Sequence, residues 1–192
     1  KVNMNNLCVS CFTDLTDTKC MHCGYDKDSS VHDTNTLKPG TILSGQYVVG
    51  ASLGKGGFGV LYLAYDISLD VKMAIKEYFP AGLSTRDRDS LTVRTSKDDE
   101  SFLQGKVAFQ NEADTLSRFN ALDSIVSVFN VFEENNTVYM VMEYLHGCDL
   151  LTLMKNMEGT FSYRDTMYYI KGILNALSSV HKVGVIHRDI SP

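Results

Sequence analysis

The chain has 192 residues, 44% of them hydrophobic and 21% charged, which suits a globular protein of one mid-sized domain, or a small module beside part of a larger one. Its 18 Lys and Arg against 23 Asp and Glu leave a net charge of −5, which argues against a nucleic-acid backbone as the main partner, since that demands a basic face. It contains no run of about 18 apolar residues, so no segment here has the composition of a membrane-spanning helix.

The chain begins at Lys1, and Lys1 to Asn6 is no signal peptide. Both ends read as boundaries of a piece of a longer protein, which leaves room for a membrane anchor elsewhere. Residues 1–30 are rich in Cys, Asp, Ser and Asn, with too few apolar side chains for a core of their own. Four of the five cysteines fall between Cys8 and Cys23, and Cys148 stands alone. A disulfide-built domain would distribute them through the fold, so a reducing, cytoplasmic setting is expected. Cys8-x-x-Cys11 and Cys20-x-x-Cys23 have the spacing of two metal knuckles. Each two-residue turn brings a pair of sulfurs to one side, and four thiolates close a tetrahedral shell around one structural Zn²⁺. Gly24 after the second pair suits the tight turn, whereas Phe12 in the equivalent place does not. Two disulfides or free thiols are the alternative, and His22 is a substitute ligand that four cysteines make superfluous. The stretch resembles the small zinc ribbons that accompany many enzymatic domains.

Ser29 to Gly40 reads as a linker, with residues 31–40 separating the module from the larger, more apolar remainder of the chain. Tyr47-Val48-Val49 and Val60 to Tyr65 flank a glycine-rich turn as a β-hairpin, and Met73 to Tyr78 is a third strand. Phe79 to Glu100 carries Arg86, Asp87, Arg88, Asp89 and Arg94, a mixed charge that suits an exposed insertion or a lengthened helix entry. Asp98 to Phe119 reads as a helix with Phe102, Phe109, Ala113, Leu116 and Phe119 on one face. Ile125 to Phe132 and Val138 to Met142 are strands joined by the polar turn Glu133 to Asn136, giving a five-stranded antiparallel sheet. A short helix is expected from Leu150 to Asn156. Ser162 and Asp165 form a capping-box-like start for a helix with the stripe Met167, Ile170, Leu174, Leu177 and His181, stopped at Gly184.

Leu53-Gly54-Lys55-Gly56-Gly57-Phe58-Gly59-Val60-Leu61 is a glycine loop, and alone it is also an ordinary turn. Met73-Ala74-Ile75-Lys76 and His187-Arg188-Asp189 follow it in order. Together the three motifs resemble a eukaryotic-type Ser/Thr protein kinase, nearest to bacterial forms, over about residues 41–192. The resemblance implies an α+β, protein-kinase-like fold. Residues 41–145 would be the N-terminal lobe and hinge, and 146–192 the start of the C-terminal lobe. It implies ATP and Mg²⁺ as cofactors, and a protein bearing a Ser or Thr hydroxyl as substrate. Gly54, Gly56 and Gly59 would let the backbone fold over the phosphates, with Phe58 shielding them from water. Lys76 would hold the α- and β-phosphates, and Leu61 and Ala74 would sandwich adenine. Glu112 is the candidate partner for Lys76, with Glu100 and Asp114 as rivals. In Tyr139 to Leu145, Met142 would be the gatekeeper, and the backbone of Glu143 and Leu145 would meet the adenine edge. Asp149 would reach the ribose, and Asp189 would orient the substrate hydroxyl and take its proton.

Some features depart from the pattern. Leu61 replaces the usual Val, and Ser191 stands where Lys is usual. The separation of Lys76 from Glu112 is longer than normal for the family. The Mg²⁺-binding Asn and the Asp-Phe-Gly would come after Pro192, so the 192 residues are expected to be inactive alone. A pseudokinase or binding module is the alternative, with a small-molecule kinase of related fold behind it. If elements beyond these residues normally surround Tyr163 to Lys182, that helix is a candidate surface for self-association.

Overall fold

The computed structural model describes residues 6–15, 17–26, 33–88, 90–95, 99–157, 159–186 and 190. Alternating apolar residues build one antiparallel sheet of six strands: β1 (Ile42–Leu43), β2 (Tyr47–Gly56), β3 (Gly59–Asp66), β4 (Val71–Tyr78), β7 (Val128–Glu134) and β8 (Thr137–Glu143). Their order is β1-β2-β3-β4-β8-β7. The strand beyond the five expected is β1, only two residues long. The expected strand from Ile125 starts at Val128, where the Asn120 side chain serves as its neighbour. Asn120 Oδ1 accepts the Val128 N–H at 2.9 Å, and its Nδ2 donates to the Val128 carbonyl at 2.6 Å.

The sheet curls until its two ends meet. Tyr47 on β2 stacks on Phe132 of β7 at 5.8 Å between ring centroids, and Ser44 N–H donates to Glu134 at 2.8 Å. The face bearing Val60, Tyr62, Ile75, Glu77, Tyr139 and Val141 lines a core in which Tyr62, Ile75, Glu77, Tyr139 and Val141 are wholly inaccessible. Glu77 is the exception to its apolar surroundings. The hydroxyls of Tyr62 and Tyr139 each donate to it at 2.9 Å, and the Arg86 guanidinium closes a buried ion pair with it.

That pair corrects the expectation of an exposed insertion. The segment after β4 forms a hairpin of β5 (Ser84–Arg86) and β6 (Val93–Thr95), with Phe79, Ser84, Arg86 and Val93 buried. Val93 N–H donates to Asn135 O at 2.8 Å, which pins the hairpin to the β7–β8 turn. A carboxylate sunk in a core needs a cation beside it, and the hairpin delivers one. Asp87, Arg88 and Arg94 face water, as do Thr85, Leu91 and Thr92. The stretch expected as a linker also contributes to the core. Leu37 is buried, and its N–H donates to the Tyr62 hydroxyl at 3.0 Å.

Helix α1 (Asp99–Ser117) lays Phe102 and Phe109 against Tyr78, at 5.1 and 5.7 Å between centroids. Helix α2 (Leu150–Asn156) starts at the N-cap Asp149. Helix α3 (Tyr163–Lys182) starts at Ser162, whose Oγ accepts the Asp165 N–H at 3.2 Å. It ends before Gly184 at φ 78°, as the pattern implied. No residue of α3 is buried, and Met167, Ile170 and Leu174 lie exposed on it. Among the described residues, no helix is long and apolar enough to cross a membrane.

Candidate functional site

Strand pairing sets which side chains face together. Leu61 lies opposite Lys76, Ala74 opposite both Leu63 and Met142, and Lys76 opposite Met140, so they share the face turned away from Glu77. Lys76 Nζ donates to Glu112 Oε1 at 2.9 Å, across 36 residues. The ammonium also sits 5.3 Å from the centre of the Phe109 ring, a contact the sequence did not point to. Neither member of the ion pair is buried, at 31% and 49% side-chain exposure, so the pair positions charge and adds little stability.

β2 and β3 carry the glycine loop between them. Phe58 at its tip is exposed, and the tip is tethered from behind. Phe79 N–H donates to Phe58 O at 3.2 Å and Ala81 N–H to Gly57 O at 3.0 Å. Gly59 is required by packing, since a Cβ there would lie 2.1 Å from the Glu77 carbonyl oxygen. A Cβ on Gly54, Gly56 or Gly57 would meet no protein atom within 4 Å. Leu53 is part exposed, and the Lys55 ammonium is paired with Asp33. Val60, counted with the loop, points the other way, into the core.

The segment expected as the hinge continues β8. Met142 is half-buried, Glu143 donates its N–H to Ser127 O at 2.9 Å, and Leu145 is exposed. Asp149 is engaged as a helix cap. Its Oδ1 accepts the Thr152 N–H at 2.7 Å and its Oδ2 the Thr152 hydroxyl at 3.1 Å, which holds its carboxyl below the usual carboxylate range. Asp189, with His187 and Arg188, lies outside the described residues.

The four cysteines of the first segment form a second centre. The sulfurs of Cys8, Cys11, Cys20 and Cys23 all lie within 4.8 Å of one another. Cys8 to Cys23 and Cys11 to Cys20 are each 3.7 Å apart, far beyond a disulfide bond. A tetrahedron with metal–sulfur bonds of about 2.3 Å has edges of about 3.8 Å, so the spacing fits a four-thiolate shell. The two knuckles are equivalent in their backbone: Phe12 N–H donates to Cys8 O and Gly24 N–H to Cys20 O, both at 2.8 Å. The Cys23 amide leads in drawing the Cys20 thiol down to about 6, whereas burial pushes Cys8 up to about 12.

Phe12 occupies the left-handed region at φ 54°, where glycine sits in the other knuckle at φ 75°. Its ring explains the mismatch seen in the sequence. It is buried on Val48, Leu63 and Tyr65, with the hinge residue Tyr144 at the margin. Ala51 N–H donates to Ser10 O at 2.8 Å, and Lys72 Nζ donates to Cys11 O at 2.9 Å. Gly50 allows this approach, since a Cβ there would lie 2.6 Å from Ser10 O. The cysteine module is therefore docked on the Leu61–Ala74 face, one step along the sheet from those residues. Sequence reasoning missed this docking, and its only signal was an aromatic residue at a glycine position.

Comparison with known proteins agrees with this architecture. The protein kinase domain family matches residues 47–192. A probable serine/threonine-protein kinase, pknA2 of Bifidobacterium longum, is 32% identical over 155 residues, 81% of this chain and 18% of that protein. Serine/threonine-protein kinase PrkC of Bacillus subtilis is 30% identical over 80% of this chain and 21% of its own length. The chain thus spans about a fifth of these relatives. The solved apo form of PpkA-294 superposes with a TM-score of 0.69 at 30% identity, over 82% of this chain and 56% of that one. The PknI kinase domain of Mycobacterium tuberculosis, at 23% identity and a TM-score of 0.60, shares the fold. With the Lys76–Glu112 pair beneath its glycine loop, the chain belongs to the protein kinase family.

Proposed function

We propose that these residues form the ATP-binding portion of a Ser/Thr protein kinase that transfers the γ-phosphoryl group to a protein hydroxyl. The observation that carries this reading is the Lys76–Glu112 ion pair, formed on the same face as Leu61, Ala74 and Met142. An ammonium fixed by a carboxylate is pre-aimed at the α- and β-phosphates, while the apolar side chains offer adenine a slot. The open space at Gly54, Gly56 and Gly57 supports close approach of the loop backbone to phosphates, since protein packing gives no reason for glycine there. Met142 would stand at the back of the slot, with the backbone of Glu143 and Leu145 at its edge and Asp149 toward the ribose. Mg²⁺, when bound with ATP, neutralises charge on the β- and γ-phosphates. Asp189 would orient the acceptor hydroxyl and take its proton.

The 192 residues contain no Asp-Phe-Gly, so by themselves they should bind ATP weakly, with little dependence on Mg²⁺, and transfer no phosphate. The Lys76–Glu112 pair favours a catalytic parent over a pseudokinase. Calorimetric titration of the chain with ATP tests the reading. Lys76→Met should weaken binding at least about tenfold while leaving stability within about 0.5 kcal/mol, because the ion pair is exposed. Equal affinity for wild type and variant would refute it.

Cys8, Cys11, Cys20 and Cys23 would hold one Zn²⁺, a closed and structural site whose role is to keep the docked module folded. The protein is assigned to the cytoplasm on its clustered, unbridged thiols. Self-association through Tyr163–Lys182 belongs to the same proposal, because that helix carries an exposed apolar stripe.

A further inference from the structure

The segment after β4 meets the glycine loop from behind. Pro80 to Leu83 form a turn in which the N–H groups of Leu83 and Ser84 donate to Pro80 O at 3.2 and 3.1 Å. Of its central residues, Ala81 and Gly82, only Gly82 takes a positive φ, at 81°, which makes the turn type II. Both flanks are fixed. Phe79 is buried with the Arg86 guanidinium 5.1 Å from its ring centre, and Arg86 is paired with Glu77. Ser84 opens β5, and the β5–β6 hairpin is pinned by Val93 to Asn135. Ala81 stands exposed between these anchors, yet its N–H donates to Gly57 O at 3.0 Å.

The other end of that bond is soft. Gly54, Gly56 and Gly57 face open space, and glycine backbone has the most freedom to lose, so whatever holds the tip sets its conformation. A trans peptide is planar, with its C=O and N–H on opposite sides. Ala81 therefore fixes the Gly57–Phe58 peptide with the carbonyl toward the turn and the Phe58 N–H directed away from it. That N–H donates to no described backbone group. We infer that Ala81 is a positioning residue of the nucleotide site, its main-chain N–H ordering the tip of the glycine loop before a triphosphate arrives. The tether tightens binding of the phosphates and not of adenosine, because a tip already ordered loses less freedom on binding. This inference rests on the ATP-site reading. Coupling is reciprocal, so a bound triphosphate must hold the tether closed by the same factor by which the tether tightens binding.

The test is titration of the whole chain with ATP and with adenosine, followed by backbone amide shifts, with hydrogen exchange at Ala81 measured in each saturated complex. Ala81→Pro suits the second place of a type II turn, but it removes the N–H and sets the ring against Gly57 O. The chain should stay folded while the tip is freed. ATP should then bind about fivefold more weakly, the worth of one hydrogen bond, with adenosine unchanged. Ala81→Ser keeps the N–H and should bind both as the wild type does. The exchange readout needs no variant: saturating ATP should slow exchange at Ala81 about fivefold, and adenosine should not. A contact that only held the turn together would show no such coupling. Unchanged ATP affinity in Ala81→Pro, an equal loss for adenosine, or exchange at Ala81 unchanged or quickened by ATP would overturn the inference. ATP affinity indifferent to Lys76→Met as well would sink the ATP-site reading with it. A loss in Lys76→Met beside full affinity in Ala81→Pro would sink the tether alone.

Discussion

Phe12→Ala separates a docked cysteine module from one that is only tethered. The ring is 4% exposed and packs 5.4 Å from the Tyr65 ring, with Val48 and Leu63 beneath it. Truncating a buried phenylalanine costs about 3–5 kcal/mol, and a cluster of only four side chains on a face of the sheet belongs at the lower end, about 3 kcal/mol. Alanine keeps the left-handed strain of position 12, whereas glycine releases about 1–2 kcal/mol of it. Phe12→Gly should therefore be the milder change, by about 1 kcal/mol, although it removes more of the side chain. Hydrogen exchange at Ala51 reads the docking directly, because its N–H is held by Ser10 O. A loss of about 3 kcal/mol speeds that exchange roughly a hundredfold, while amides of β4 and β8 keep their protection. Unchanged exchange at Ala51 in both variants, or a glycine variant worse than the alanine one, would refute the reasoning.

Removing zinc with a chelator should expose Val48, Leu63 and Tyr65 and unprotect Ala51 while the rest of the sheet persists. Purified protein should carry about one equivalent of zinc, and less than half an equivalent by elemental analysis would be the contrary result. Arg86→Met strands a buried carboxylate and should cost about 3–5 kcal/mol in urea denaturation, with Glu77→Gln added restoring part of the loss. Burial first, and Glu77 second, push the Tyr62 and Tyr139 hydroxyls above their ordinary range. Their folded-state protonation is thus fully stabilising below about pH 10, and stability falls above it as the unfolded chain ionises first. Absorbance at alkaline pH should show these two among the ten tyrosines titrating only as the protein unfolds.

What could be read from the sequence rests on short-range physics. The capping of α3 by Ser162, the stop at Gly184, the turns of the cysteine pairs and the alternation of β3, β4 and β8 each depend on residues a few positions apart. The order of the three motifs carried the kinase resemblance, which implied Lys76 and offered Glu112 as its partner beside Glu100 and Asp114; the structure pairs Lys76 with Glu112. The tertiary structure decided the remainder. Nothing local distinguishes Arg86 from Arg88 or Arg94, yet only Arg86 meets the carboxylate of Glu77 under two tyrosine hydroxyls. Leu37 sits in a polar stretch and looks like linker until Tyr62, 25 residues on, accepts its N–H. Phe12 looks like a poor knuckle residue until β2 and β3 supply the surface that buries it. Burial is a property of the assembled sheet, since the desolvation that holds Arg86 on Glu77 and Phe12 on Leu63 exists only once distant strands have come together.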